Sequence, residues 1–328
     1  MRNHSFQNPT GFCSLVIVAG TVLASLASTA PAGTIRHDRD DADYRALAAQ
    51  PQFASVGRVV GLASFILIAP DWALTAAHVV DLNLDGVADP TASNRTYTVG
   101  GQSRQGDQFI VPVGINGNRG WNGNINNGFD IALVHLTQPI TSVAPASLYT
   151  SFQELGKTIT SVGFGATGTG KTGAYLASGT KRAGTNVVDR FARGPNGELG
   201  FANGASALAW DFDEPSPGTS PNQSGSGDPL DMEYLIAGGD SGGGSFIFEN
   251  GAWYLAGVHS GTYPSYNYPL ATDNDSTYGD EALITRVAAY QDFIFNSIPD
   301  LAVAVPEPAN LAVLALAGLI AMRRRRGA

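Results

Sequence analysis

Short apolar segments separated by turn residues follow one another along the chain from Val56 onward. The segments SFILI at 64–68 and WALT at 72–75 are typical, with a Pro-Asp pair between them, and such runs predict strands. Further candidate strands lie at 96–99, 108–113, 131–136, 158–163, 245–248, 253–259 and 282–286. The last stretch, 286–298, spaces its apolar residues three to four apart, which predicts an amphipathic helix. The pattern as a whole indicates an all-β body of antiparallel barrels or sandwiches with a C-terminal helix.

Composition supports a folded domain and narrows its partners. The chain is 43% hydrophobic and 14% charged, which is typical of a globular protein. Its formal net charge of -9 repels phosphate backbones, so nucleic acid is not an expected partner. The single cysteine, Cys13, lies in the N-terminal segment, so the body has neither a disulfide nor a thiol nucleophile.

Both termini have the composition of targeting segments. Arg2 precedes an apolar run from about Leu15 to Leu26, and the small residues Ala30 and Ala32 then fit a signal-peptidase site after residue 32. The alternative is a membrane anchor, although the apolar run is short for one. A polar N-terminal arm or pro-segment follows, with a short helix expected at 41–49.

The C-terminal sequence VPEPANLAVLALAGLIAMRRRRGA resembles a PEP-CTERM sorting signal. The resemblance implies recognition by an exosortase, removal of the tail and delivery to the cell surface or exopolysaccharide matrix. A plain C-terminal membrane anchor is the alternative. In either case the arginine cluster is expected to stay cytoplasmic before processing, with the body exported across the inner membrane.

Three motifs contain residues suited to nucleophilic catalysis. They are TAAH, which ends at His78, DIALV, which begins at Asp130, and GGDSGG, which contains Ser241. A serine hydroxyl needs a base such as imidazole, and the imidazole needs a carboxylate on its other nitrogen. Glycines around the serine let backbone N–H groups point at a developing oxyanion. Each residue alone is more often structural, but the three together in this order indicate a catalytic triad.

These motifs, together with LAGVHSG at 255–261 and LITRVAAYQDFI at 283–294, resemble the signature segments of chymotrypsin/trypsin-like serine proteases over about 56–298. The resemblance implies two six-stranded antiparallel β-barrels and a closing helix, with the site between the barrels. It implies a signal peptide at 1–32, a protease domain at 33–298 and a sorting segment at 299–328. Within the domain, the first barrel would span about 55–145, the second about 155–285 and the helix 286–298.

The same resemblance assigns roles to individual residues. Ser241 would be the nucleophile, His78 the base and then the acid, and Asp130 the residue that orients His78. The N–H groups of Gly239 and Ser241 would form the oxyanion hole. Ser260 and Gly261 would line the substrate strand, and Leu235 the floor of the primary pocket, where an apolar residue favours a neutral or hydrophobic side chain before the cut. A basic preference is the alternative if Asp273, Asp275 or Asp280 approaches the pocket. We read His37, His135 and His259 as non-catalytic.

The sequence departs from the family at several positions. Val79 stands where many relatives have cysteine, and Gly244 replaces a common proline. No Ile-Val-Gly-Gly segment precedes His78 at the usual spacing. We therefore expect the N-terminus near Gly33–Ile35 to reach Asp240, which is the acid that a freed amine pairs with in relatives.

No cofactor is required by this chemistry. A loop with Asp81, Asn83, Asp85 and Asp89 resembles the start of a calcium loop but lacks a twelfth-position carboxylate, so an ordinary Asp/Asn turn is the alternative. The sequence thus predicts a secreted serine endopeptidase acting on protein or peptide substrates. A non-catalytic surface or matrix binding protein on the same fold, and an esterase with the same triad, are the other hypotheses.

Overall fold

A computed structural model describes residues 32–113, 120–192, 206–215, 224–264 and 276–301. The strands are β1 Gly33–Ile35, β2 Val56–Val59, β3 Ala63–Ala69, β4 Trp72–Thr75, β5 Thr96–Val99, β6 Gln102–Ile110, β7 Ala132–Leu136, β8 Thr158–Gly163, β9 Thr167–Thr169, β10 Gly173–Leu176, β11 Arg182–Val187, β12 Arg190–Ala192, β13 Ala207–Asp211, β14 Tyr234–Leu235, β15 Gly244–Glu249, β16 Ala252–Tyr263 and β17 Glu281–Arg286. The α-helices are α1 Asp41–Ala48, α2 Ala77–Val80 and α3 Gln291–Ser297. Short 3₁₀ turns occupy Pro51–Phe53, Pro90–Asn94, Ile125–Asn127 and Val287–Tyr290.

The first half of the chain forms a closed barrel with the strand order β2-β3-β4-β7-β6-β5. All seven residues of β3 are buried, as its continuous apolar sequence predicts. Phe65, Leu74 and Leu133 are among the fully buried residues of the barrel core. The apolar runs left antiparallel barrels and sandwiches open, and this six-stranded antiparallel barrel is the one that the family resemblance implied.

The second half forms a seven-stranded sheet with the order β11-β8-β15-β16-β17-β13-β12. The fold is chymotrypsin-like, as expected, but within the described strands this second unit is a half-barrel instead of a closed ring of six. Among the described strands, the edge strand β12 pairs with β13 alone, and helix α1 packs against the other edge strand, β11. A helix packed over a sheet edge is one way to keep an open sheet from pairing with another chain.

The N-terminal arm is an integral part of the second half. Strand β1 lies between β9 and β14 in a small four-stranded sheet, with Thr34 opposite Leu235. Helix α1 follows at 41–48, close to the expected 41–49, and Asp41 pairs with the buried Arg182 of β11. The expected helix was therefore confirmed, whereas no sequence pattern had indicated that Gly33–Ile35 joins a sheet.

The C-terminal helix packs against the first barrel. The expected helix over 286–298 is shorter in the structure, because Arg286 still belongs to β17 and a 3₁₀ turn precedes α3. Its apolar residues nevertheless face the core: Tyr290 and Ile294 are buried in the same cluster as the barrel residues, and Tyr290 stacks edge-on against Phe129. The apolar residues that the three-to-four spacing placed on one face are therefore buried against the barrel, as expected for an amphipathic helix.

A buried ion pair fastens the second sheet to the segment between the two halves. Glu154 accepts two hydrogen bonds from Arg286, at 2.8 and 2.5 Å, and both side chains are at most 1% exposed. The guanidinium lies 4.7 Å from the ring centres of both Phe152 and Phe191. Bidentate pairing and two aromatic faces compensate the cost of burying the two charges.

Within the described ranges, no helix is both long and apolar enough to cross a membrane. The C-terminal sorting segment and the apolar part of the expected signal peptide lie outside the described residues, so the structure adds nothing to those two predictions.

We predict that Glu154→Gln destabilises the fold strongly, because it leaves the Arg286 charge buried without a counter-ion. The expected loss is about 3 to 5 kcal/mol of the free energy of unfolding, measured by denaturant titration. The control is Arg45→Ala, which removes the exposed pair with Asp41 and should cost less than about 1 kcal/mol. Equal losses in both variants would contradict the importance given to burial.

Candidate active site

The carboxylate of Asp130 is the centre of the site. It is fully buried just before β7, where Oδ1 accepts the backbone N–H of His78 at 2.9 Å and Oδ2 lies 2.7 Å from His78 Nδ1. From the second half, the Ser260 hydroxyl donates to Oδ2 at 2.5 Å, and the Thr285 hydroxyl donates to the Asp130 carbonyl at 2.7 Å. These donors pay the desolvation cost of the buried charge and fix its orientation.

The imidazole of His78 stands on the short helix α2, at the end of β4. Burial of the ring disfavours its charged form, but the charge of Asp130 and its hydrogen bond outweigh that effect, so the pKa of His78 is raised above its usual 6.5. The bond from Nδ1 to Asp130 leaves Nε2 as the nitrogen able to take up a proton. The ring is 21% exposed and therefore accessible to a substrate.

The turn that carries Ser241 packs directly against the segment that leads to His78. The Ser241 carbonyl accepts the Ser64 N–H at 2.9 Å. Gly242 has a φ of +77°, and a Cβ at this position would overlap Thr75 Oγ1 and lie 3.1 Å from Ala76 N. A residue with a side chain would separate the turn from β4, so glycine is required here.

The backbone donors of the turn fall into two groups. The N–H groups of Asp240, Gly242 and Gly243 are bonded to the carbonyls of Ala237, His259 and Asp240. Those of Gly239 and Ser241 donate to no residue that the structure describes. Gly239 has a φ of +92°, a conformation that favours glycine. The two free donors are the pair that the sequence predicted for an oxyanion hole.

His78 and Ser241 are not hydrogen-bonded to each other. The His78 ring is bonded to Asp130, and within the described residues no hydrogen bond of 3.5 Å or less joins it to Ser241 Oγ. Hydrogen bonds between catalytic groups are often long in the absence of substrate and tighten in the complex. The turn that carries Ser241 contacts the segment that leads to His78.

A cavity of about 320 Å³ opens beside Ser241. Its walls include Ile236, Ala237, Ser260, Gly261, Thr262 and Ser276, and no charged residue is among the described residues that line it. Ser260 and Gly261 are where the sequence predicted them, on the wall strand β16. The sequence did not predict that Ser260 also donates a hydrogen bond to Asp130, because the motif around Ser260 gives no indication of a partner 130 residues away.

The position expected to form the pocket floor lies elsewhere. Leu235 is fully buried in the core of the second half, in β14 opposite Thr34, and is not on the cavity wall. Its neighbours Ile236 and Ala237 supply the apolar wall instead. Asp280 is buried and accepts the Thr277 N–H, and Asp273 and Asp275 lie outside the described residues.

The loop that resembled a calcium site is closed by its own hydrogen bonds. The carboxylate of Asp81 accepts the N–H groups of Asp85 and Gly86 and the indole N–H of Trp121, and Asp89 accepts the Leu82 N–H. Asn83 and Asp85 bond to each other. Within the described part of the chain, no three His, Cys, Asp or Glu side chains are arranged to hold a metal. These contacts are those of an ordinary Asp/Asn turn, and calcium binding stays a prediction.

The other histidines lie away from the cavity. His135 bonds Asp107 at 2.6 Å, and His37 bonds the Tyr278 hydroxyl at 2.9 Å. His259 is fully buried beneath the turn that carries Ser241, and burial lowers its pKa to about 3. A ring that is shut off from solvent and binds a proton this weakly is not suited to act as a general base.

Two of three comparisons with known proteins found a similar family or structure. A family model described as Trypsin matches residues 49–207, which include His78 and Asp130 and end before Ser241. Among solved structures, the chain is similar to neuropsin, a serine protease expressed in the limbic system of mouse brain, with 17% identity and a TM-score of 0.49 over 76% of this chain and 97% of that one. No curated protein matches the sequence.

The fold is chymotrypsin-like, and just under half of the chain matches the Trypsin family model.

We predict that kcat/KM rises with pH through a midpoint above 6.5, because the base must be neutral and the pKa of His78 is raised. The measurement is a pH–rate profile with a peptide substrate. An acid limb with its midpoint below pH 6 in the wild type would contradict the assignment of His78.

Replacing Asp130 with Asn should lower kcat by about 10⁴ with the same peptide substrate, since Asn leaves the ring in the wrong tautomer.

Proposed function

We propose that this protein is an exported serine endopeptidase that hydrolyses peptide bonds through an acyl-enzyme. The observation that carries the proposal is the Asp130 carboxylate, which holds His78 at 2.7 Å and is itself bonded to Ser260 on the wall of the cavity that contains Ser241. The imidazole and the carboxylate are hydrogen-bonded to each other, and Ser260 lies both on the carboxylate and on the wall of the cavity beside Ser241. Such an arrangement would suit acyl transfer.

In the proposed mechanism, Ser241 Oγ bonds to the substrate carbonyl carbon while its proton passes to His78 Nε2. The carbonyl oxygen becomes an oxyanion, and the free N–H groups of Gly239 and Ser241 donate to it. His78 then returns the proton to the leaving amine as the C–N bond breaks. Water repeats the sequence on the acyl-enzyme, with His78 as base, and releases the acid. Asp130 orients the ring and stabilises its charged form throughout.

We propose a neutral or hydrophobic preference before the cleaved bond. The described cavity wall is formed by small and apolar residues, including Ile236 and Ala237, and offers no carboxylate to a lysine or arginine side chain. The sequence predicted the same preference. It now rests on Ile236 and Ala237 instead of Leu235, because Leu235 lies in the core.

Activation through the N-terminus is a second part of the proposal. Asp240 is fully buried, accepts the N–H groups of Gly165 and Ala237 at 2.7 and 2.9 Å, and is 3.4 Å from the Tyr234 hydroxyl. Burial raises its pKa to about 7. Gly33 packs so closely on Tyr234 that a Cβ would overlap the hydroxyl. A cut after residue 32 would thus free an amine next to the aromatic ring that binds Asp240, where a cation favours the ionised carboxylate.

We further propose export through a cleaved signal peptide and sorting of the C-terminus by an exosortase-type enzyme. Both rest on the sequence alone: the small-residue site that ends at Ala32 and the VPEP box with its arginine cluster. The body would then act at the cell surface, in the exopolysaccharide matrix or outside the cell.

The endopeptidase proposal predicts covalent labelling of the exported protein by a fluorophosphonate, with Ser241 as the target. Ser241→Ala should abolish labelling and lower kcat by about 10⁴ to 10⁶, because the nucleophile is removed. The matched control is Ser103→Ala, a serine on the exposed surface of the first barrel, which should label like the wild type.

If the wild-type protein is not labelled, a binding module is favoured instead. If it cleaves esters but not amides, an esterase is favoured.

Cleavage of a peptide library by the same preparation identifies the residue before the cleaved bond. Predominant cleavage after lysine or arginine would contradict the neutral preference.

For the N-terminus, we predict that two extra residues before Gly33 lower kcat/KM by about tenfold or more, the equivalent of one pKa unit of lost stabilisation of the Asp240 carboxylate. Mass spectrometry of both termini first establishes which ends the exported protein has. Two extra residues after Leu301 serve as the control. Unchanged turnover in the N-terminal variant would overturn the activation proposal and leave the triad untouched.

A further inference from the structure

The direction of one free N–H group beside Ser241 depends on a single peptide. Residues 237–240 form a turn that is closed by the bond from the Asp240 N–H to the Ala237 carbonyl, and the free N–H of Gly239 belongs to the central peptide of this turn. The φ of +92° at Gly239 fits the third residue of a type II turn. In a type I turn the central peptide is rotated to the opposite side, which would turn this N–H away from its present direction.

The two central residues of the turn do not fix its type by themselves. Both are glycines, Gly238 and Gly239, and glycine adopts positive and negative φ with similar ease. The bond that closes the turn is common to both turn types, so it does not select one of them. The orientation of the central peptide therefore depends on hydrogen bonds from outside the turn.

The connecting segment, residues 164–166 after β8, supplies such a bond. The Ala166 N–H donates at 2.6 Å to the Gly238 carbonyl, which is the other end of the central peptide. The C=O and N–H groups of a trans peptide point in opposite directions. The bond to the carbonyl therefore keeps the Gly239 N–H on the opposite side, where it donates to no residue that the structure describes.

The hydroxyl of Ser64 joins the connecting segment to the turn. Ser64 is fully buried on β3 of the first barrel. Its Oγ accepts the Phe164 N–H at 2.9 Å and donates to the Gly239 carbonyl at 3.1 Å. A serine hydroxyl has one proton, so the bond to this carbonyl uses its entire donor capacity. Phe164 lies two residues before Ala166, so the same short segment is bound to the turn at both of its ends.

We propose that Ser64 is a positioning residue for the oxyanion hole. Its hydroxyl keeps the connecting segment at the distance from the turn at which the Ala166 N–H reaches the Gly238 carbonyl, and so keeps the Gly239 N–H available to an oxyanion. The backbone N–H of Ser64 holds the residue of the other free donor, through the Ser241 carbonyl at 2.9 Å. The inference deepens the proposed function and rests on it.

Removal of the hydroxyl should slow catalysis without weakening substrate binding. We expect Ser64→Ala to lower kcat by about 10- to 100-fold with little change in KM, less than the about 10² to 10³ for a donor removed outright. Ser64→Thr and Ser64→Val form a matched pair, since their side chains have the same shape and only Thr has a hydroxyl. The control is Ser161→Ala, which removes a buried hydroxyl that bonds to Ser245 Oγ at 2.8 Å and should leave kcat unchanged.

The readout that separates positioning from general stability is the affinity for a transition-state analogue. A peptide aldehyde forms a tetrahedral adduct with a serine nucleophile, and the oxygen of this adduct binds the oxyanion donors, whereas the matching peptide alcohol forms no adduct. The affinity ratio of aldehyde to alcohol should fall about tenfold or more in Ser64→Ala and Ser64→Val. It should stay near the wild-type value in Ser64→Thr and Ser161→Ala. Equal ratios in the Thr and Val variants would overturn the proposal.

Hydrogen-exchange NMR on the wild type tests the bonds themselves if a variant fails to fold. The amide protons of Phe164 and Ala166 should exchange as slowly as those of β8, because both are hydrogen-bonded. Fast exchange at either amide would overturn the role of Ser64, even in a protein that the fluorophosphonate labels. If the wild type is not labelled although both amides exchange slowly, the proposed function is refuted, and the role of Ser64 in it is refuted with it.

Discussion

The hydrogen bonds of Asp130 are the contacts on which the site depends. The carboxylate has no exposure to solvent, and an unpaired charge in that position would cost several kcal/mol. Two of its donors belong to His78 in the first half, and a third belongs to Ser260 in the second. The charge is therefore satisfied only when the two halves are packed together. The same packing that stabilises the carboxylate orients the imidazole, so folding and catalytic geometry are coupled.

The turn that carries Ser241 is held from both sides. The first barrel contacts it through Ser64 and through the close approach of Gly242 to β4, and the second sheet contacts it through the backbone of His259. In the proposed reaction, a turn that makes these bonds before substrate arrives would present its two free N–H groups with little reorganisation. Preorganised donors of this kind account for much of the transition-state stabilisation in acyl transfer.

Packing and buried polar contacts replace disulfides in this chain. The one cysteine lies at position 13, outside the described residues, and Val79 follows the histidine of the site. The loop after α2 is closed by Asp81, whose carboxylate binds two backbone N–H groups and the Trp121 indole. The segment that enters β8 is held by the ion pair of Glu154 with Arg286. Such hydrogen bonds and ion pairs satisfy buried polar groups and at the same time hold the loops in place. A disulfide would hold a loop covalently.

Local sequence alone determined the elements whose pattern repeats over a few residues, and the motifs that carry the chemistry. Most strands of the first barrel, the strands β15 to β17 and the apolar face of the closing helix were evident from apolar runs and spacing, because such patterns reflect which face is buried. The strand expected at 108–113 was placed too late, since β6 spans Gln102–Ile110. The residues of the proposed triad were evident because a serine nucleophile needs a particular set of neighbours.

Tertiary structure alone decided where distant residues meet. The pairing of Thr34 with Leu235 and the bond of Ser260 to Asp130 leave no periodic trace, because each is a single contact between segments far apart in the chain. The contact between helix α1 and the edge strand β11 of the half-open second sheet is of the same kind, since α1 belongs to the N-terminal arm. Periodicity encodes burial, but the partner of a buried polar group is chosen by the way the whole chain packs.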